Sequence, residues 1–267
     1  MLNEVLNTLL ANGFEEQAVP EAIALQYSSA KPARIGNREF RNSIFRKVRL
    51  TYFDGEDSVQ VFNALFYPSY EYDLPLLGMD LISLGRKRVL NVIDTQPLYP
   101  TPEYSAKYVD SLSPIRERYP DLQGTLSGKI YDDTSFFSKN MLFGRFSDES
   151  QLDSVVQPAL SEYLSAYLAM AAAATPDGSD TAMEAVRARQ QAYDEYSALK
   201  DPAVGLFDAY YGKEWSKAFV HDFLFELSGA PAALAVPNPH AAMGKRAVEQ
   251  KTVEKQTVEK QTVEQRP

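Results

Sequence analysis

Two polar residues inside apolar runs, Asn63 and Asp80, are the first candidates for chemistry in this sequence. Each run is rich in Val, Ile, Phe and Leu, has the length of a β-strand and ends at turn-forming residues. A carboxylate in such surroundings needs a partner or a proton, because burial favours the neutral form and raises the pKa. A carboxyl group that keeps its proton near neutral pH is a candidate general acid.

A purely structural role would also account for these two residues. An aspartate at the end of a strand often bonds a neighbouring turn, and a buried asparagine often bonds backbone groups. Most buried polar groups are satisfied in this way, so the pattern alone favours the structural interpretation.

The elements that must position Asn63 and Asp80 lie in residues 59–97. Pro68, Pro75 and Gly85 divide this stretch into three apolar runs. Because the connections are too short for a helical crossover, we expect three successive antiparallel strands.

The alternation of side chains along a strand assigns each candidate to a face. Asn63 shares its face with Val61 and Leu65, and Asp80 shares its face with Ile82. Both faces of these strands are apolar, which is typical of a sheet covered on each side.

The rest of the chain has strand patterns first and helical patterns later, without strict alternation. This order predicts an α+β fold with a sheet packed between helices, in one domain of residues 1–228. Residues 229–267 contain a five-residue repeat that matches no helical period, and we expect a disordered tail. We predict helices at residues 1–12, 101–119, 152–173, 180–199, 203–211 and 214–228, strands at 40–53 and 141–146, and irregular structure at 14–38.

The composition excludes several classes of function. The chain has 267 residues, 45% hydrophobic content and a net charge of −9, which argues for a globular protein that binds no nucleic acid. No apolar run approaches the length of a membrane span. The start of the chain has the pattern of an amphipathic helix and lacks the features of a signal peptide, so we expect a cytoplasmic protein, or one of the plastid stroma.

Catalysis by thiolates and metal sites built on cysteine are excluded, since the chain contains no cysteine. The two histidines, His221 and His240, are too far apart in sequence to suggest a metal site. The phosphate-binding and dinucleotide-binding glycine motifs are absent, and so is the G-x-S-x-G motif of serine hydrolases. Any redox chemistry therefore needs electrons from a partner, and any acid–base chemistry depends on carboxylates, tyrosines or water.

Basic residues form two clusters in this acidic chain. They are either solvated surface charges or a docking patch for an acidic partner. One cluster consists of Arg41, Arg46, Lys47 and Arg49, and the other of Arg86, Lys87 and Arg88.

Three separated segments, in order and at matching spacing, resemble the ferredoxin-dependent bilin reductases over residues 1–228. They are FNALFYPSYEYDLPLLGMDL at residues 62–81, FFS at 136–138 followed by LFGR, and KDPAVGLFDAYYGKEW followed by FVHDFLFEL at 200–227. The resemblance implies a single three-layer α/β/α sandwich with a largely antiparallel central sheet. It also implies a bilin site between the sheet and the C-terminal helices. No flavin or metal is expected, and single electrons would come from reduced ferredoxin through bilin radicals.

The resemblance assigns roles to individual residues. Asp80 matches the central catalytic aspartate, and Asp201 matches a second aspartate on the helical side of the pocket. Asn63 stands where members that make phycocyanobilin carry a histidine, which points to the phycoerythrobilin branch. Ser138 and Arg145 match contacts to a substrate propionate. Asp201 also precedes a proline, so it can simply cap a helix.

The expected reaction is the ferredoxin-dependent, two-electron reduction of biliverdin IXα at its 15,16 methine bridge. Within the family, the segments SVQVFN, YDLPLLGMDLISLG, RYPDLQG and DEYSALKDPAVGLF are most similar to members with this activity. A four-electron synthesis of phycoerythrobilin and a non-catalytic bilin carrier remain as alternatives. Expected partners are biliverdin, ferredoxin and the next bilin reductase, and the docking candidates are Arg46, Lys47, Arg86, Lys87 and Arg88.

Overall fold

Antiparallel pairing joins the strands that the sequence predicts around Asn63 and Asp80. A computed structural model describes residues 1–85, 87–126, 136–147 and 149–229. Within these residues the strands are β1 (Glu15–Gln17), β2 (Leu25–Tyr27), β3 (Arg34–Arg41), β4 (Phe45–Asp54), β5 (Val59–Pro68), β6 (Leu76–Leu84), β7 (Arg88–Gln96) and β8 (Leu142–Phe146).

All eight described strands belong to one sheet with the order β1-β3-β4-β5-β6-β7-β8, and β2 pairs with β3 beside β1. Every pair of neighbouring strands is antiparallel. Asn63 lies directly opposite Asp80 in the β5–β6 register, and Asp80 lies opposite Val92 in the β6–β7 register. The predicted pairing and facing of these strands are confirmed.

Helices form the other layers of the fold. The α-helices are α1 (Leu2–Ala11), α2 (Glu21–Ala24), α3 (Pro102–Tyr104), α4 (Ser113–Arg118), α5 (Gln157–Ala173), α6 (Asp180–Lys200), α7 (Ala203–Tyr211) and α8 (Lys213–Ala218). π-Helical turns cover Ser105–Val109, Leu152–Val156 and Phe219–Leu224, and 3-10 turns cover Asp110–Leu112 and Pro120–Leu122. No helix of the described residues has both the length and the apolar character that a membrane span requires.

The two faces of the sheet are covered by different helices. On one face, Phe66 of β5 meets Tyr167 of α5 with 6.1 Å between ring centroids. On the other face, the Tyr67 hydroxyl donates to the carboxylate of Asp194 on α6 at 2.7 Å. Phe53 on β4 meets Tyr210 of α7 edge to face at 5.0 Å. The predicted single-domain α/β/α sandwich with an antiparallel central sheet is confirmed.

The first part of the chain differs from the prediction. Residues 40–53 are not one strand: β3 ends at Arg41, and β4 begins at Phe45. The turn between them forms because the Asn42 side chain accepts the backbone N–H groups of Ile44 and Phe45, both at 2.9 Å. Residues 14–38 are not irregular either. They contain β1, α2 and β2, whose three or four residues are too few to show a period, and the start of β3.

Two predicted helices are also less regular than expected. The helix predicted for residues 101–119 is divided into α3, a π-turn, a 3-10 turn and α4, and Pro114 lies in the first turn of α4. Proline lacks an N–H and cannot continue a preceding α-helix. The helix predicted for residues 214–228 ends at Leu224, and Phe225 after it has a non-helical backbone. The tail predicted for residues 229–267 lies outside the described residues after Gly229.

Candidate active site

A cavity of about 460 Å³ lies between the sheet and α7. Its volume falls within the range of roughly 300–1,000 Å³ that is usual for small-molecule sites. Apolar side chains form most of the wall, and a few polar groups converge on it. The lining residues are Thr51, Phe53, Val59, Val61, Asn63, Asp80, Ile82, Leu84, Leu90, Val92, Leu126, Phe143, Arg145, Asp201, Pro202, Ala203, Leu206, Phe207 and Leu224.

A smaller space of about 60 Å³ adjoins this cavity, and the polar residues that line both are Asn63, Asp80 and Asp201. Tyr193 and Tyr196 of α6 form part of the wall of the smaller space. The three polar side chains therefore lie between the apolar cavity and a space with a more aromatic wall.

Asn63 and Asp80 are hydrogen-bonded to each other within the sheet. The Asn63 Nδ2 donates to Asp80 Oδ1 at 2.6 Å. On its other side, the Asn63 Oδ1 accepts a hydrogen bond from Nη1 of Arg49 on β4. The three side chains thus form a chain across β4, β5 and β6 on the face of the sheet that borders the cavity.

Asp201 approaches the same cavity from the helical layer. It follows the last residue of α6, and its Oδ1 accepts the backbone N–H of Ala203 at 2.8 Å. This bond satisfies one of the free N–H groups at the start of α7. The structure therefore combines the capping role that the sequence allowed with a position on the cavity wall.

Both carboxyl groups have raised pKa values. Burial raises the pKa of Asp80, and the hydrogen bond from Asn63 and the positive charge of Arg49 oppose this shift. Burial, together with the nearby Asp80, raises the pKa of Asp201 to about 6, and the hydrogen bond from Ala203 and the positive charge of Arg49 oppose this shift. Two carboxyl groups that disfavour each other's ionisation retain protons at a higher pH than isolated ones.

Arg49 is a site residue that the sequence analysis assigned only to a basic cluster. Its side chain is 2% exposed, and its Nε donates to the Leu224 carbonyl at 3.0 Å. The guanidinium also lies over the Phe225 ring, at 5.3 Å from its centroid. The sequence does contain an indication of this buried position, because Arg49 lies between the apolar Val48 and Leu50 and shares the inward face with Thr51.

Ser138 is not brought to the cavity that holds Asp80. Its N–H and its hydroxyl both donate to the carboxylate of Asp94, at 2.8 and 2.5 Å. Asp94 is fully buried, and burial raises its pKa well above the usual range. The observed contacts of Ser138 tie the segment after Phe136 to β7, and its contact with a substrate stays a prediction.

Arg145 is brought to the cavity. It lies opposite Leu90 in the β7–β8 register and lines the cavity together with Asp80. Its side chain is exposed, and its guanidinium lies over the Phe143 ring at 5.1 Å from the centroid. It can therefore meet a carboxylate at the mouth of the cavity, and a guanidinium binds such a group with two parallel hydrogen bonds.

The basic residues predicted to dock a partner differ in accessibility. Lys47 is 3% exposed, and its Nζ donates to the Phe223 carbonyl at 2.8 Å and to Glu226 at 2.7 Å. Arg46 pairs with Glu226 at 2.5 Å and donates to Gln190. The expectation that Lys47 presents its charge to a partner is wrong, because this charge is buried and neutralised within the protein. The Arg46 guanidinium is likewise held by internal partners.

The second basic cluster is only partly described. Lys87 and Arg88 are exposed at the hairpin between β6 and β7. Arg86 lies outside the described residues. This hairpin is at the end of β6 that carries Leu84, which lines the cavity.

Two relatives that have the same name match most of this chain. A relative from Gloeobacter violaceus named 15,16-dihydrobiliverdin:ferredoxin oxidoreductase is 38% identical over 238 residues, which cover 88% of this chain and 97% of the relative. A relative of the same name from Nostoc punctiforme is 38% identical over 214 residues, 79% of this chain and 87% of the relative.

A solved structure has the same fold. Tomato phytochromobilin synthase, crystallised in complex with biliverdin, superimposes with a TM-score of 0.77 at 21% identity, over 86% of this chain and 82% of the tomato protein. The model of the family described as ferredoxin-dependent bilin reductase matches residues 3–226. With this match and relatives above 30% identity along most of its length, the chain belongs to the ferredoxin-dependent bilin reductase family.

Proposed function

We propose that this protein is an oxidoreductase that reduces biliverdin IXα at its 15,16 methine bridge, with ferredoxin as electron donor. The product is 15,16-dihydrobiliverdin, which serves phycoerythrobilin synthesis. Two reduced ferredoxins give one electron each, and two protons enter at C15 and C16, so that the double bond between these carbons becomes single. Support comes from relatives of this name that match nearly their whole length.

The observation that carries the proposal is the position of Asp80 and Asp201. The two carboxyl groups border one largely apolar cavity, one from the sheet and one from the helical layer. A planar tetrapyrrole between these layers would have a carboxyl group near each of its faces. A carrier would need the cavity but no pair of proton donors, so the paired carboxyl groups favour an enzyme.

Raised pKa values suit these carboxyl groups to the reaction. Reduction by single electrons makes the bilin a stronger base, and a neutral carboxylic acid close to the ring can protonate it. We assign this step to Asp80, whose pKa is raised by burial. Asp201, with a pKa raised to about 6, supplies the second proton. Solvent restores both protons after product release.

The other polar groups of the site hold the substrate. Asn63 is fixed by its bonds to Arg49 and Asp80 and presents its amide edge to the lactam end of the bilin. Arg145, at the exposed side of the cavity, binds a propionate. In this proposal no flavin or metal takes part, because electrons pass from ferredoxin directly to the bound bilin.

The same cavity is compatible with a four-electron synthesis of phycoerythrobilin, since Asn63, Asp80 and Asp201 would serve both reactions. In the two-electron case the product passes to a second bilin reductase, which is therefore a further expected partner. The protein must act in a compartment that contains reduced ferredoxin, and we infer that this compartment is the cytoplasm or the plastid stroma.

An anaerobic turnover assay tests the proposal. Purified protein is mixed with biliverdin IXα, reduced ferredoxin is added, and the product is identified by chromatography. Accumulation of 15,16-dihydrobiliverdin supports the two-electron reaction. Phycoerythrobilin would assign the four-electron one instead. A bound bilin with an unchanged spectrum would identify a carrier, and failure to bind biliverdin would contradict the whole proposal.

A further inference from the structure

Arg49 is the most deeply buried charged group next to the proposed proton donors. Among the described residues, the Arg49 guanidinium donates hydrogen bonds to two neutral oxygens. Nε donates to the Leu224 carbonyl at 3.0 Å, and Nη1 donates to Asn63 Oδ1. Burying a cation is costly unless its charge is used or offset nearby. Its position between the sheet and the end of the helical layer therefore calls for an explanation beyond packing.

The hydrogen-bond chemistry of Arg49 fixes the direction of the chain to Asp80. A guanidinium has only donors, so the group facing it must be the carbonyl oxygen of the Asn63 amide. The amide nitrogen is then forced toward Asp80, where it donates to Oδ1 at 2.6 Å. When Asp80 is protonated, the oxygen that accepts this bond is its carbonyl oxygen, because the Asn63 N–H occupies that side. The proton of Asp80 then lies on the other oxygen, Oδ2.

We propose that Arg49 is a positioning residue, whose guanidinium orients the Asn63 amide and thereby keeps the proton of Asp80 on Oδ2, available to the molecule in the cavity. This inference deepens the proposed function and rests on it. Without Arg49 the Asn63 amide can turn over and present its oxygen to Asp80. That oxygen would accept the proton of Asp80 in a hydrogen bond and withhold it from the substrate.

The charge of Arg49 acts on the same carboxyl group in a second way. The positive charge lowers the pKa values of Asp80 and Asp201 and so limits the increase that burial causes. The other titratable or charged groups that face Asp80 are Asp201 before α7, Tyr193 and Tyr196 on α6, and Arg145 on β8. Removal of the Arg49 charge should move the pH at which Asp80 loses its proton upward.

Two substitutions separate these effects. Arg49→Met removes both the charge and the donors at similar volume. Arg49→Lys keeps the charge, but its single nitrogen cannot replace Nε and Nη1, which reach separate oxygens. Arg38→Met is a control on the neighbouring strand, where the Arg38 side chain is 42% exposed and pairs with Glu16 at 2.7 Å. Far-ultraviolet circular dichroism and the spectrum of bound biliverdin show whether each variant is folded.

The first readout is turnover at pH values from about 5 to about 8.5. We expect both Arg49 variants to lose roughly 10- to 100-fold in kcat with KM for biliverdin within about threefold, because a misplaced proton donor slows the chemical step. In Arg49→Met, the pH at which kcat falls should also move upward, whereas Arg49→Lys should keep the wild-type value. Arg38→Met should match the wild type in all three quantities.

The second readout needs no turnover. The infrared carbonyl band of protonated Asp80, identified by its loss in Asp80→Asn, is followed during a pH titration of the protein without bilin. A shift in band position in both Arg49 variants, with a higher midpoint only in Arg49→Met, supports the proposal. It is overturned by an unchanged band, or by wild-type kcat in Arg49→Lys. If the wild type does not reduce biliverdin, the proposed function fails, and this titration still decides whether Arg49 orients the proton of Asp80.

Discussion

Asp80 and Asp201 border one cavity from opposite layers of the fold, Asp80 from β6 and Asp201 from the turn before α7. Each is buried enough to have a raised pKa, and the charge of Asp80 contributes to the increase for Asp201. Groups that influence each other in this way titrate as a pair. The cavity is therefore bordered by two carboxyl groups that can hold a proton near neutral pH, one on the sheet and one on the helical layer.

The substitution Asp80→Asn should block turnover and preserve binding. The amide keeps the size of the carboxyl group but cannot supply a proton, so we expect kcat to fall by about 100-fold or more. The Kd for biliverdin, from absorption titration, should stay within about threefold. Asp121→Asn, at an exposed position, is the matched control and should retain wild-type activity. Full activity of Asp80→Asn would contradict the assigned role.

For Asp201, two substitutions distinguish catalysis from helix capping. Asp201→Asn retains an oxygen that can accept the Ala203 N–H, whereas Asp201→Ala loses it. Both variants should lose activity, but Asp201→Ala should be less stable than Asp201→Asn, by about 1 kcal/mol, or roughly 2–4 °C in Tm. Neither variant titrates at this position, so their difference isolates the capping bond. Thermal unfolding and turnover are measured on the same preparations, and equal Tm values for the two variants would show that the capping bond does not stabilise the helix.

The stability of the wild type should depend on pH through Asp201. The pKa of this residue is raised from 3.8 to about 6 on folding, so the folded state holds the proton more tightly. Its contribution to stability is complete below pH about 4 and is lost as the pH rises through about 6. Asn does not titrate. The free energy of unfolding of Asp201→Asn, relative to the wild type, should therefore increase by about 1–3 kcal/mol across this range.

Urea unfolding at the two ends of that pH range measures this difference. The exposed Asp121→Asn variant provides the comparison and should show no comparable trend. A constant difference between Asp201→Asn and the wild type would mean that Asp201 keeps an ordinary pKa in the folded protein.

Ferredoxin binding should depend on the exposed hairpin between β6 and β7. Charge reversal at Lys87 and Arg88 should raise the KM for ferredoxin about fivefold or more and leave the KM for biliverdin unchanged, because an acidic partner loses an attractive surface. The effect should diminish at high salt. The double reversal Lys213→Glu with Lys217→Glu, at exposed positions of α8, controls for net charge. An unchanged KM for ferredoxin would exclude the hairpin.

Glu226 should matter for stability, because it neutralises the buried Lys47. The Glu226 side chain is 34% exposed, so solvent weakens the pair, and we expect Glu226→Ala to cost about 1–3 kcal/mol. Chemical unfolding checks this value. Glu214→Ala, exposed on α8, should change the stability by no more than about 0.5 kcal/mol. A loss in Glu226→Ala as small as in the control would show that Lys47 finds another partner.

Much of the fold can be predicted from the sequence, because long elements have many residues that repeat one pattern. Strands β5, β6 and β7 and helix α6 follow such patterns along their whole length. The turn at Asn42 has a different basis: a single side chain accepts two backbone N–H groups and interrupts an alternation that continues on both sides. Periodicity cannot reveal an effect of this kind.

The site is predictable to a smaller extent. Alternation places Asn63 and Asp80 on one face, since their strands are adjacent and regular. No local pattern connects Asp201 with them, because it lies in a turn more than 100 residues away, and only the resemblance to a family indicated it. Arg49 was counted among surface charges, although its inward position follows from the alternation of β4. The charge of Arg49 suggested a surface position, but the alternation of side chains along β4 places it in the interior.

Two side chains of the sheet hold the carbonyl groups that end the π-helix Phe219–Leu224. Lys47 donates to the Phe223 carbonyl at 2.8 Å, and Arg49 donates to the Leu224 carbonyl at 3.0 Å. Both are cations at the negative end of a helix. This end of the helical layer is therefore fixed to the sheet, and we expect that any widening of the cavity during exchange of product for substrate occurs at α7 and the turn before it. Such a movement would carry Asp201 with it and leave Asn63 and Asp80 in place.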